Sequence, residues 1–204
     1  MLKPRTRIQE RNSRAILEAG LDVFSQHGFR GATLDQIAEV AGLSKPNLLY
    51  YFPSKDAVYL AILARLLQNW LDPLRHMNPD GSPVEEVLAY VRRKLQMSRD
   101  FPRESRLFAN ELLQGAPHLI AEIKGPLKTL VDEKSVILQH WMDTGQIARM
   151  PPVHLIFSIW SLTQHYADFD VQVRAMLGPG HDPFAEADCF LDHLFRRMLA
   201  PDPG

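Results

Sequence analysis

Residues 33–55 constrain this chain more than any other stretch. Two short segments of helical period, at 34–40 and 45–51, are joined by Ala41-Gly42-Leu43-Ser44. Thr33 and Ser44 precede them as N-caps, where a hydroxyl oxygen accepts from an orphan N–H of the first turn. Pro46 falls in the first turn of the second segment, where a missing N–H costs nothing. Gly42 permits the tight reversal. Ile37, Ala38 and Leu48 form a small apolar contact between the two segments. This is the pattern of a helix-turn-helix, whose second helix fits the DNA major groove and brings its N-terminal residues to base edges. Lys45, Asn47 and Tyr50 face outward on that helix. Asn pairs with adenine edges, while Lys and Tyr serve phosphates. Lys55, opening the next helix, reaches for the DNA backbone too. On the pattern alone, a plain helical corner is the alternative.

The rest of the chain also reads as helices, since breakers separate segments of helical period and no alternating strand pattern with hairpin turns is present. A first helix is expected at about 12–26, closed by Gly28. A long helix capped by Ser54 runs to about 75. Others follow at about 84–99, 102–114, 118–144, 153–167 and 183–199, the third of these kinked or divided by Gly125-Pro126. The expectation is an all-α fold in two domains. Residues 1–55 form a three-helix DNA-binding domain, and 56–204 a helical ligand-binding and dimerisation domain.

Charge supports that division. The 204 residues carry a net −1, which argues against binding nucleic acid by bulk electrostatics. Residues 1–55 hold eight basic residues, Lys3 and Arg5 among them, against five acidic ones, so the head is +3 and the remainder −4. A hydrophobic share of 46% with 23% charged residues is that of a soluble globular protein. Cys189 is alone, so neither an intrachain disulfide nor a cysteine zinc site is expected. No apolar run suits a signal segment or a membrane span, so the expected location is the cytoplasm. The eight histidines are scattered, and His118 with Glu122 makes only a pair, so no metal and no cofactor are expected. Glu111 with Arg106 reads as a solvated pair within a helix. His165 beside Tyr166 lacks a nucleophile or an oxyanion loop, so no enzyme is expected.

The run from Thr33 to Lys55, with Phe24, Gly28 and Phe29 before it, resembles the N-terminal domain of tetracycline-repressor (TetR) family regulators. The aromatic pair Tyr51-Phe52 and the Ser54-Lys55 step keep the family spacing. Leu49 stands where the family often has tyrosine, and Pro46 where it often has glycine. The resemblance implies a palindromic double-stranded operator as partner, with Thr33, Ser44, Lys45, Pro46, Asn47, Tyr50, Tyr51 and Lys55 at the DNA. It also implies a homodimer through the last two helices and a small-molecule effector.

Downstream, Leu155-Ile156-Phe157, Ile159-Trp160 and Thr163-Gln164-His165-Tyr166-Ala167-Asp168-Phe169 resemble a pyrimidine-responsive branch of that family. The implied function is control of pyrimidine catabolism by uracil or thymine. Trp160, Gln164 and Asp168 share one helix face at four-residue steps. A primary amide such as Gln164 complements an imide edge, and flat rings such as Trp70 and Trp160 suit its faces. Phe108 completes the candidate set. Ordinary core aromatics and a surface amide are the plain alternative, and a TetR-type regulator of another, hydrophobic ligand is the alternative function. The last helix carries a wide apolar stripe, from Phe184 through Leu191 and Phe195 to Leu199, that covers a core or pairs with a second copy.

Overall fold

A computed structural model describes residues 6–201, so Lys3 and Arg5 of the basic head lie outside the described residues. Among those residues every regular element is helical. They divide into two compact units.

The first unit holds the residues up to Gln68 together with Arg106–Leu119. It contains α1 (Arg7–Gly31), α2 (Leu34–Val40), α3 (Lys45–Tyr51), the first part of α4 (Lys55–Arg75) and most of α6 (Pro102–Leu113). Helix α1 starts earlier than its apolar pattern, because Thr6 and Gln9 form a reciprocal capping box. Gly28 breaks it with φ 65°, a left-handed value that favours glycine. Thr33 and Gln36 form a second capping box on α2, and Ser44 accepts from Asn47 N at the start of α3. Gly42, at φ 67°, makes the turn between them. Ile16, Phe24, Ile37, Leu48 and Leu63 are fully buried at the centre. Each such side chain contributes ~1.5–3 kcal/mol by leaving water. Gly20 is buried where a Cβ would lie 2.9 Å from both Val58 and Ile62, so a bare backbone lets α1 approach α4.

The second unit holds Asn69–Ser105 and the residues from Ile120 onward. It contains the end of α4, α5 (Pro83–Asp100), the short α7 (Ile120–Glu122), α8 (Lys128–Asp143), α9 (Pro152–Asp168), α10 (Asp170–Leu177) and α11 (Pro183–Leu199). Helices α9 and α11 both pack on α5, which is the centre of this unit. The expected long helix at 118–144 is divided at Gly125-Pro126. Residues Ile123–Leu127 form a π turn, a wider ring in which the backbone accommodates the N–H that Pro126 lacks. The last carbonyls of α4 region are capped from α8, where Lys134 Nζ donates to Arg75 O at 2.9 Å and Met77 O at 3.1 Å. Helix α10 was not expected. Its apolar residues Val171 and Met176 are exposed and only Val173 is buried, so it carries little periodic signal.

Candidate functional site

The face that the sequence assigns to DNA lies on α3. Leu48 is fully buried and fixes the helix on α2, while Lys45, Pro46, Leu49 and Tyr50 are exposed and Asn47 is half-buried. Ser44 and Thr33 act as the caps that the sequence predicts, and both stay exposed at helix N-termini, where backbone N–H groups favour a phosphate. Lys45 Nζ meets Asp35 at 2.9 Å. Both are exposed, so the pair is worth ~0–1 kcal/mol and yields readily to a phosphate. Two tyrosines tie α3 to α1: Gln9 Nε2 donates to Tyr50 OH at 3.3 Å, and Asn12 Nδ2 to Tyr51 OH at 3.1 Å. Arg7, Arg11 and Arg14 lie exposed at three- and four-residue steps on α1.

Lys55 has a different setting from the other basic residues. Its Nζ donates to Phe29 O at 2.8 Å and Ala32 O at 2.9 Å, and sits 4.5 Å from the centre of the Phe29 ring. The ammonium closes the carbonyl end of α1, as cations do at helix C-termini.

Glu111 belongs to this first unit and is only 3% exposed, not a solvated partner of Arg106. It accepts from Tyr59 OH at 3.1 Å and from His118 N at 2.7 Å, and His118 Nδ1 lies 3.2 Å away. Burial and the Glu111 charge push the Tyr59 phenol well above its ordinary value. His118 therefore pairs with Glu111 and not with Glu122 in a metal site. Phe108, one turn earlier on α6, is buried in the same unit.

The remaining effector candidates lie in the second unit, around the contact of α5 with α9. Trp160 Nε1 donates to Tyr90 OH at 2.6 Å. Burial pushes the Tyr90 phenol up, against the lowering effect of that bond. Asp168, two turns beyond Trp160, accepts from Ser105 Oγ at 2.6 Å. Gln164 is half-buried between them, in an open groove along Phe157, Trp160, Ser161 and His165. His165 stacks on Phe169 at 5.0 Å.

Lys94 is the residue that sequence reasoning missed. It is 2% exposed on α5, with Nζ 5.1 Å from the centre of the Trp70 ring. Burial draws it down to about 7, while the Asp168 carboxylate pulls the other way. Trp70 is itself 6% exposed, and its Nε1 makes no hydrogen bond among the described residues. Ser98, one turn from Lys94, is 1% exposed with an unpartnered hydroxyl. A buried polar group without a partner costs ~1–3 kcal/mol, so Trp70 and Ser98 each carry such a cost. The signal was in the sequence. Val87, Val91, Lys94 and Ser98 follow at helical steps, so Lys94 stands in an apolar stripe.

Residues 16–62 match the family described as bacterial regulatory proteins, tetR family, and residues 63–202 match the YcdC-like protein, C-terminal region. The HTH-type transcriptional regulator RutR of Escherichia coli K12 is 52% identical over 174 residues, covering 85% of this chain and 82% of that one. RutR of Shigella flexneri matches to the same extent. Among solved structures, a tetR-family bacterial regulatory protein from Rhodococcus RHA1 superposes with a TM-score of 0.73 at 19% identity, covering 94% of this chain and 98% of that one. AibR, in complex with isovaleryl coenzyme A and operator DNA, gives 0.71 at 19% identity, covering 93% and 99%. These two share the fold. With one TetR family matched by the head, another by the body, and half of the aligned residues identical to RutR, the chain belongs to the TetR family of DNA-binding transcriptional regulators.

Proposed function

We propose that the chain is a RutR-like homodimeric repressor of pyrimidine catabolism genes, released from its operator by a pyrimidine base such as uracil or thymine. The observation that carries the effector reading is the pair of unpartnered buried groups, Trp70 Nε1 and Ser98 Oγ, beside Lys94. An aliphatic ligand satisfies none of these groups, whereas a planar imide offers carbonyl acceptors to them and a ring face to Trp70. Gln164 reads the imide edge with its amide, and Trp160 lines the same helix. On the DNA side, Thr33, Ser44, Lys45, Pro46, Asn47, Tyr50 and Tyr51 meet the operator, with Lys55 as an additional backbone contact.

The dimer forms through α9 and α11, where Phe157 and Phe190 are half exposed. Two-fold symmetry then sets the two α3 helices ~34–36 Å apart, one turn of DNA. Helix α4 carries Lys55 at its start and Trp70 near its end, so one helix bears both a head residue and an effector residue. Effector and operator affinities are therefore coupled, and the coupling is reciprocal.

Operator binding measured with and without uracil tests the reading. Uracil at saturation lowers operator affinity; an unchanged affinity removes the effector assignment and leaves the family intact. Gln164→Ala weakens uracil binding by ~1–3 kcal/mol, because the imide edge loses a partner. An unaltered uracil titration removes Gln164 from the site.

A further inference from the structure

The DNA major groove is lined by polar base edges and by one apolar group, the C5-methyl of thymine. Helix α3 carries an apolar counterpart. Pro46 and Leu49 are both exposed, Leu49 by 38%, and they are neighbours on the helix surface at a three-residue step. Leucine has neither a donor nor an acceptor in its side chain, so Leu49 adds nothing to phosphate binding or to polar readout of a base. What it offers a duplex is apolar contact.

The residues around this pair have other engagements. Lys45, one turn before Leu49, holds Asp35 at 2.9 Å. Tyr50 OH accepts from Gln9 Nε2 at 3.3 Å, so its hydroxyl is turned to α1, and its ring meets Tyr51 edge-on at 5.1 Å. Asn47 is half-buried. A single exposed leucine is ordinary on any protein surface. Two adjoining apolar side chains in the first turns of a groove-reading helix, where side chains reach base edges, have one complement in the groove.

We infer that Leu49, with Pro46 beside it, reads a thymine in each operator half-site through the C5-methyl group. The inference rests on the reading of α3 as the helix that meets the operator, and goes beyond it by naming the base and the atom recognised. Taking one methyl group out of water against a leucine changes affinity ~3- to 5-fold. Two half-sites multiply this to ~10- to 25-fold, since well-separated positions contribute almost independently.

The probe is a palindromic duplex selected by the full wild-type chain from a random-sequence pool. Each thymine of a half-site is replaced in turn, in both half-sites together, by deoxyuridine, which removes the methyl group and keeps every hydrogen-bonding group of the base. Fluorescence titrations compare wild type, Leu49→Ala and Leu49→Met, each first shown to melt as a folded chain. At one position wild type loses ~10- to 25-fold on the replacement. Leu49→Ala binds the thymine and deoxyuridine duplexes within ~3-fold of each other there, whereas Leu49→Met, which keeps an apolar contact, still loses at least ~5-fold. A merely structural leucine would weaken all duplexes alike and leave that ratio alone. Wild type indifferent to every replacement, a loss that persists in Leu49→Ala, or a selected half-site without thymine overturns the inference while α3 keeps its place at the operator. A selected duplex whose binding is unchanged by Lys45→Ala, Asn47→Ala and Leu49→Ala alike, or selection of no sequence at all, overturns the reading of α3 and the inference with it.

Discussion

Replacing Lys94 with methionine keeps most of the side-chain volume and removes the charge. The consequence for stability is a matter of proton linkage. Burial lowers the Lys94 pKa from 10.5 to about 7, so between those values the unfolded chain holds a proton that the folded chain has released. Stability then rises with pH across that window, and below pH ~7 both states are protonated and the slope vanishes. A shift of this size corresponds to at most ~5 kcal/mol across the whole window, at ~1.4 kcal/mol per pKa unit. Between pH 7 and 8.5 it amounts to ~1.5 kcal/mol. For a chain of this length that is ~3–6 °C in melting temperature. Thermal and urea melts of wild type and Lys94→Met, run side by side from pH 6.5 to 8.5, isolate the effect, because other groups cancel in the difference. The stability of wild type relative to Lys94→Met therefore increases by ~1.5 kcal/mol from pH 7 to 8.5. A difference that stays constant with pH would refute the argument that Lys94 enters the fold desolvated.

Three further changes address the head. Lys45→Ala costs under ~1 kcal/mol of stability, because its ion pair with Asp35 is exposed, but reduces the salt slope of operator binding by about one unit in a fluorescence titration at several salt concentrations. Lys55→Ala lowers the stability of the head by ~1.5–3 kcal/mol, since a charged donor is lost from Phe29 O and Ala32 O, and this shows in a urea melt. If the melt is unchanged and only the salt slope falls, Lys55 serves a phosphate instead. Gly20→Ala drives a methyl group to 2.9 Å from Val58 and Ile62 and destabilises by ~1–3 kcal/mol; a neutral melt means that α1 shifts without strain.

Much of the fold was legible because its punctuation is local. Thr33, Ser44 and Ser54 cap helices at the positions their hydroxyls suggest, and Gly28, Gly42 and Gly145 take left-handed conformations at helix ends. The start of α1 was less visible, because its capping box at Thr6 and Gln9 precedes a charged turn with no apolar period. The π turn at Ile123–Leu127 could be foreseen only as a disturbance at Gly125-Pro126, since several backbone solutions relieve a proline inside a helix. The sites were harder for a different reason. Residue type suggests a surface role for Lys94 and Glu111, and both are buried. Lysine on an apolar stripe usually extends its stem and returns its charge to water. Whether it does so depends on neighbours remote in sequence, here Trp70 and Asp168. Glu111 likewise depends on Tyr59, 52 residues away.

The first unit is not a continuous piece of chain, and this bears on how such regulators are recombined. Arg106–Leu119 is stitched to it by the Glu111 bond to Tyr59, and Lys55, at the last residue of the head as sequence alone delimits it, closes α1. A DNA reader excised at residue 55 would leave behind the side chains that complete its own interior. A chimaera that transplants this reader onto a foreign sensor must therefore graft two separate segments, up to residue 68 and 106–119, or inherit a Tyr59 hydroxyl with nothing to meet.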